Sequence, residues 1–346
     1  MLNLERLSDI THELSSNLIR SIVLPRGLWR RLTGHARRSR DAAAADAAAG
    51  EPYLRSGTVI LCGSEEVPHD AVIAAIHRVG GRDFRVIVLR AGELAEKSPE
   101  APAGSHGSQA GSPAVRAFRK YGIPEVHTVN LPGRAAAEDS ALAARLAEAE
   151  VVVLEAGEIA GALDTLMGTA VHRALGEALG RGHVLVATRP AHLLLAERLV
   201  IPGAGGGTSA VPGLSLLPGV VVHAPPGRQP SPAGLLHALG THLSPQHLGM
   251  ELDPGAVLVV RGNEAQVLGD GAVTFADGRE TSTTCDEVLP TRDQPPPGDL
   301  PPVCSLRLHL LVPGYSLNLR TRRPMAPSRE SAQAAVAAGD RSAFPA

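Results

Sequence analysis

Between residues 57 and 199 short apolar runs alternate with helix-length stretches, and this rhythm limits the fold more than any other property of the chain. Thr58–Gly63, Phe84–Arg90, Val126–Leu131, Val151–Leu154 and His183–Ala187 each read as a buried strand. Between them His69–Val79, Ala114–Tyr121, Ala135–Ala149 and Ile159–Leu179 read as helices. Pro190–Leu199 reads as one more helix, with proline in its favoured first turn. Strands alternating with helices predict an α/β fold: three layers, a mostly parallel sheet with helices on both faces, and right-handed crossovers. Ligands on such sheets sit outside the carboxyl ends of the strands. The loops that leave the strands are therefore where chemistry is expected.

Past Val200 the pattern loosens. Gly203–Gly213 reads as a lid or mobile loop, Gly219–His223 as a strand and Ala233–Leu239 as a short helix. Ala256–Val260, Ala265–Leu268 and Ala272–Ala276 are closely spaced strands with glycine turns, which predicts a small antiparallel hairpin extension. Ser305–Val312 reads as the final strand. Residues 92–113, rich in Gly, Ser and Pro, read as a long flexible loop. The expected organisation is an N-terminal extension and linker over residues 1–50, an α/β domain over 57–323, and a disordered tail over 324–346 that has little to bury.

Composition narrows the function classes. Aromatic residues make up only 2% of the 346, so the core must be aliphatic. A formal net charge of -2 gives no global reason to expect nucleic-acid binding. The three cysteines, Cys62, Cys285 and Cys304, form neither a disulfide framework nor a zinc spacing, which points to a reducing, cytoplasmic setting; whether Cys285 and Cys304 pair stays open. His127, His237, His242 and His247 are scattered without metal-ligand spacing. No metal or cofactor is implied. No apolar run has the length of a membrane span, and no secretory signal pattern stands at the N-terminus.

Six segments carry a more specific signal. In order they are Cys62-Gly63-Ser64-Glu65, Glu155-Ala156-Gly157-Glu158-Ile159, Ala187-Thr188-Arg189-Pro190-Ala191-His192, Gly249-Met250-Glu251-Leu252, the hairpin from Ala256 to Asp277, and Leu308-His309-Leu310-Leu311-Val312-Pro313-Gly314. As an ordered set, covering roughly residues 57 to 323, they resemble the cyanophycinase family of serine peptidases. The matching family segments are a Gly-Gly-Ala-Glu-like turn, a Thr-Gly-Gly-Asp-Gln turn, a Gly-Thr-Ser-Ala-Gly-Ala elbow, a Gly-Ile-Asp-Glu segment, a hairpin and a closing strand. The resemblance implies a sheet of the class I glutamine amidotransferase-like type. It also implies hydrolysis of peptides containing acidic residues, typically the β-aspartyl-arginine units of cyanophycin, by the elbow serine with help from a histidine in an Asp-Gln-His-Phe segment.

The residues themselves depart from that chemistry. A nucleophilic serine needs a hydroxyl that a nearby base can deprotonate. Arg189 stands at that position, and a guanidinium has no acceptor and stays protonated. The residue after the nucleophile ordinarily gives a backbone N–H to the oxyanion hole, and Pro190 has none. The elbow glycine is Ala191. The counterpart of Asp-Gln-His-Phe is Val222-His223-Ala224-Pro225, where His223 is a weak candidate for the base, and of the arginines beyond it only Arg228 remains. Ile159 replaces the glutamine of the central turn and Leu252 the later acid. Thr188 and Cys62 are the candidates for a relocated nucleophile, although strand alternation turns Thr188 away from Arg189 and a buried cysteine is usually inert. The expected pocket residues are Gly63, Gly157, Glu158, Arg189, His192 and Arg228.

Three readings follow. The first is a cyanophycinase-like protein without catalysis, whose pocket is vestigial or binds a small anion or acidic peptide through Arg189; its alternative has Arg189 merely paired with a local acid such as Glu158. The second is an active hydrolase with a relocated nucleophile. The third is an interaction protein acting through its N-terminal extension. There Leu4, Leu7, Ile10, Leu14 and Leu18 have helical spacing and precede Arg26, Arg30, Arg31, Arg37, Arg38 and Arg40. Such a segment can dock on an anionic membrane or on RNA through residues 1–40. Packing on the domain or on a second subunit in a homo-oligomer is the favoured reading, because charge runs are usually only solvated.

Overall fold

The structure is a computed structural model that describes residues 53–54, 56–92, 112–202, 208–223, 239, 246–279 and 306–327. The expected N-terminal helix and basic run, Arg228, Cys285 and Cys304 lie outside the described residues, as do most of the 92–113 loop, most of the helix expected at Ala233–Leu239 and residues 328–346 of the expected tail.

The chain from 58 to 187 folds as its alternation dictates. In order it forms β1 (Thr58–Cys62), α1 (His69–Val79), β2 (Arg85–Ala91), α2 (Pro113–Lys120), β3 (Glu125–Leu131), α3 (Arg134–Ala137), α4 (Ser140–Glu148), β4 (Val151–Ala156), α5 (Ile159–Leu166), α6 (Ala170–Gly180) and β5 (Val184–Ala187). These five strands pair in parallel in the order β1-β5-β4-β2-β3. From β1 through β2 to β3 the chain moves one way across the sheet, and from β3 through β4 to β5 it moves back. Right-handed crossovers then require helices on opposite faces. The core divides accordingly. Ala71, Val72 and Phe118 of α1 and α2 pack with Ile60, Val86 and Val88. Leu146, Ala162, Leu166 and Leu175 of α4 to α6 pack with Val59, Leu61, Ile87 and Leu89 on the other face.

Local chemistry breaks two of the expected helices. Ala135–Ala149 is two helices, because the Asp139 carboxylate accepts from the N–H of Ala141 at 2.8 Å and starts a new one. Ile159–Leu179 is also two. Gly168 takes a left-handed turn with φ 72°, and Thr169 caps α6 by accepting from the N–H of His172.

The larger correction follows the elbow. Pro190–Leu199 is not a helix: α7 (Ala191–Leu194) is a single turn, and the chain continues as β6 (Ala196–Pro202). It is followed by β7 (Thr208–Pro212), β8 (Leu217–His223), β9 (Leu248–Leu252), β10 (Ala256–Arg261), β11 (Glu264–Gly269), β12 (Val273–Asp277), β13 (Arg307–Leu311), β14 (Ser316–Asn318) and β15 (Arg323–Met325). Part of the expected glycine-rich lid is thus the strand β7, Ser305–Val312 is not the last strand, and β15 enters the expected tail. The expected small extension is divided between two sheets. β10 pairs antiparallel with β1, and β11, β14 and β15 extend the main sheet to nine strands. β12 instead joins a second, six-stranded sheet of order β13-β12-β9-β8-β6-β7. One face of that sheet, with Leu199, Val220, Val222, Met250 and Phe275, joins the main core. Among the described residues no helix is long and apolar enough to cross a membrane.

Candidate active-site edge

Register aligns the carboxyl ends of the central strands. Leu61, Ala187 and Leu154 are neighbours across β1, β5 and β4, and Leu154 lies beside Leu89 of β2. One residue further on, Cys62, Thr188, Glu155 and Arg90 form the next row. The turns that follow, Gly63–Glu65, Arg189–Pro190 and Gly157–Glu158, therefore emerge side by side on one edge. Sequence reasoning placed Gly63, Gly157, Glu158, Arg189 and His192 together, and the structure brings them to this edge.

Backbone contacts fix the edge tightly. At Gly63 a Cβ would stand 2.0 Å from the Asp253 carbonyl oxygen, so only glycine fits where β1 meets the turn before β10. The Gly63 N–H donates to Ala256 at 2.9 Å and the Gly157 N–H to Ala91 at 3.2 Å. In the elbow, the Thr188 N–H donates to the Leu154 carbonyl at 3.2 Å and the Arg189 N–H to the Ser64 carbonyl at 2.8 Å. The His192 N–H closes back on Thr188 at 2.8 Å. The Arg189–Pro190 peptide bond is cis. The amide of Arg189 is thus engaged by β1's turn, and the next residue has no N–H to offer.

The side chains complete the description. Arg189 is half-buried. The Glu158 carboxylate caps α5, accepting from the N–H groups of Ala160 at 2.9 Å and Gly161 at 2.7 Å. His192 is buried, with Nδ1 lacking a hydrogen-bond partner. Burial pushes its imidazole down to about 3, the Arg189 charge adds to the shift, and the Thr188 backbone opposes it. The histidine is therefore neutral and cannot carry a stable positive charge near neutral pH.

The relocated-nucleophile candidates are enclosed. Thr188 is 1% exposed and Cys62 0%. Burial raises the Cys62 thiol far above its ordinary range, which removes its thiolate. His223 lies opposite Val200 at the end of β8. Alternation puts it on the face of Val221 and Val200, which form a small cluster apart from the main core, whereas Val220 and Val222 face that core.

Three residues of this edge were not singled out from the sequence as site candidates. Glu155, 6% exposed, accepts a hydrogen bond from the Ser112 hydroxyl at 2.9 Å, and its other oxygen lies 3.4 Å from Arg90 Nε. The available signal was an acid and an arginine ending otherwise apolar strands.

No protein-family model matches the chain. It is 24% identical over 286 residues to a cyanophycinase of Geminocystis herdmanii, covering 79% of this chain and 97% of that protein. A cyanophycinase of Thermosynechococcus vestitus is 27% identical over 216 residues, 60% of this chain and 64% of that protein. Among solved structures, a peptidase from an acI-B1 actinobacterium superposes with a TM-score of 0.51 at 14% identity, covering 76% of this chain and 97% of that one. The chain is thus similar to cyanophycinases over most of its length, and it shares its α/β fold with a solved peptidase.

Proposed function

We propose that this protein keeps the cyanophycinase-like frame without the family's serine-peptidase reaction, and that the elbow serves instead as a recognition point for a small anion or an acidic peptide through Arg189. The observation that carries the reading is the elbow itself. A guanidinium replaces the attacking hydroxyl, its own amide is bonded to Ser64, and the following residue is proline. Removing a single oxyanion donor from a working site costs on the order of a hundredfold or more in rate, and here the nucleophile is missing as well. Burial holds the His192 imidazole down to about 3, which leaves it a poor base, and His223 lies on the face of β8 opposite the main core. A guanidinium is also the side chain best suited to a planar carboxylate.

The competing reading, a hydrolase with a relocated nucleophile, finds Thr188 and Cys62 enclosed. One set of measurements separates the two. Purified protein is assayed on cyanophycin and β-aspartyl dipeptides and treated with a fluorophosphonate probe, and its melting temperature is followed with aspartate and short acidic peptides. The expected result is no turnover, no labelling, and a thermal shift that Arg189→Ala abolishes. Turnover lost on mutation of Thr188 or Cys62 overturns the inactive reading. A ligand response unchanged by Arg189→Ala overturns recognition by the elbow.

A further inference from the structure

The crossovers that leave β2 and β4 run in opposite directions, toward β3 on one face and toward β5 on the other. The crevice between two such strands is where open α/β sheets receive ligands. Here the carboxyl ends of the two strands carry Arg90 and Glu155, register partners in the parallel pairing. Glu155 reaches the start of α2, an eight-residue helix. Ser112, the N-cap of α2, makes no side-chain cap bond of its own. Its hydroxyl donates to Glu155 Oε1 at 2.9 Å. Arg90 Nε lies 3.4 Å from Oε2. Ser112 and Glu155 are 5% and 6% exposed.

A guanidinium and a hydroxyl around one carboxylate at the start of a helix are the components of a carboxylate receptor. They stand in the crevice where a ligand is expected, and the carboxylate they hold belongs to the chain. We propose that the β2–β4 crevice is a carboxylate-binding site occupied by the protein's own Glu155, an intramolecular contact that excludes free carboxylates from it. Burial favours the uncharged form of Glu155, opposed by Ser112, Arg90, Ala114 and Arg116, so the receptor groups act against the cost of enclosing the charge. The proposal does not depend on the reading of the elbow.

Chemical rescue tests this. All variants are made in an Arg189→Ala background, so that the elbow adds nothing to the response. Glu155→Ala removes the occupant and leaves the receptor. Acetate and formate are expected to raise its melting temperature by several degrees, because a ligand that binds only the folded state stabilises it. Chloride at matched ionic strength should not. The Arg189→Ala parent, with Glu155 in place, and Glu155→Ala combined with Arg90→Ala should show no such rise. No rise in Glu155→Ala, or an equal rise in the parent or in the combination with Arg90→Ala, overturns the proposal. If Glu155→Ala does not fold in dilute buffer, recovery of folded protein on refolding with acetate supports the site. Failure to recover with acetate, while Glu155→Gln folds, overturns it.

Discussion

The backbone N–H of Arg189 donates to the carbonyl of Ser64 at 2.8 Å, joining the turn after β5 to the turn after β1. Replacing the side chain at residue 189 leaves that bond in place. Arg189→Ser is therefore expected to restore a hydroxyl and nothing more. Hydrolysis of β-aspartyl dipeptides and fluorophosphonate labelling should both stay at background. Labelling of the serine variant at a rate well above a denatured control would show that the edge still activates a nucleophile.

His192 carries a pH signature. Its imidazole is held down to about 3 in the folded protein, mainly by burial, and unfolding returns it to its ordinary value near 6.5. The unfolded chain binds the extra proton between those values. The stability that the neutral ring contributes is fully present above about 6.5 and is lost as the pH falls toward 3. Urea unfolding across this window should give a flatter pH profile for His192→Leu than for the wild type. The ring resonances should also keep the neutral form at pH 5.

Gly63 tolerates no side chain. A Cβ would stand 2.0 Å from the Asp253 carbonyl oxygen, and both partners are backbone, so neither can rotate away. Gly63→Ala is expected to cost about 1–3 kcal/mol, the range for forced overpacking. Chemical denaturation measures it. Gly81→Ala, where nothing lies within 4 Å of the added Cβ, is the control and should shift the midpoint far less.

Asp277 and Arg279 form a second acid-sensitive point. Burial pushes the Asp277 carboxyl up, but the Arg279 guanidinium, whose Nη2 lies 2.7 Å from Oδ2, outweighs it and holds the carboxyl below the usual range. Arg279 also donates to the Thr321 carbonyl at 3.1 Å, so the pair ties the end of β12 to the turn before β15. A depressed carboxyl contributes stability above its unfolded value that is lost as the pH falls through the folded one. Asp277→Asn should therefore destabilise at pH 7 and differ progressively less from the wild type as acid is added, as followed by melting temperature.

The parts of the fold that were legible depend on local patterns. Val151–Leu154 and Thr58–Gly63 read as strands because an all-apolar run needs burial on both sides, and β4 and β1 have it. Leu195–Leu199 read as helix because nothing in the segment declares its partner. β6 is set by pairing with β7 and β8, which sequence does not display. The second sheet escaped for the same reason. At the site, the elbow substitutions were legible because they sit in a recognisable turn. The Arg189–Ser64 bond was not, since it joins residues far apart in the chain. The side of β8 on which His223 lies could not be chosen until the core showed which face of the strand is packed.

β1 is flanked by β5 on one side and β10 on the other. It is the first of these strands to leave the ribosome, yet its parallel partner begins only at Val184 and its antiparallel partner at Ala256. Elongation at roughly 5–20 residues per second leaves Thr58–Cys62 without either neighbour for several seconds or more. During that interval a strand that the native sheet buries throughout has two open edges, the condition under which nascent chains associate with one another. Synthesis of this protein therefore passes through a stage at which the strand that becomes central has no partner of its own.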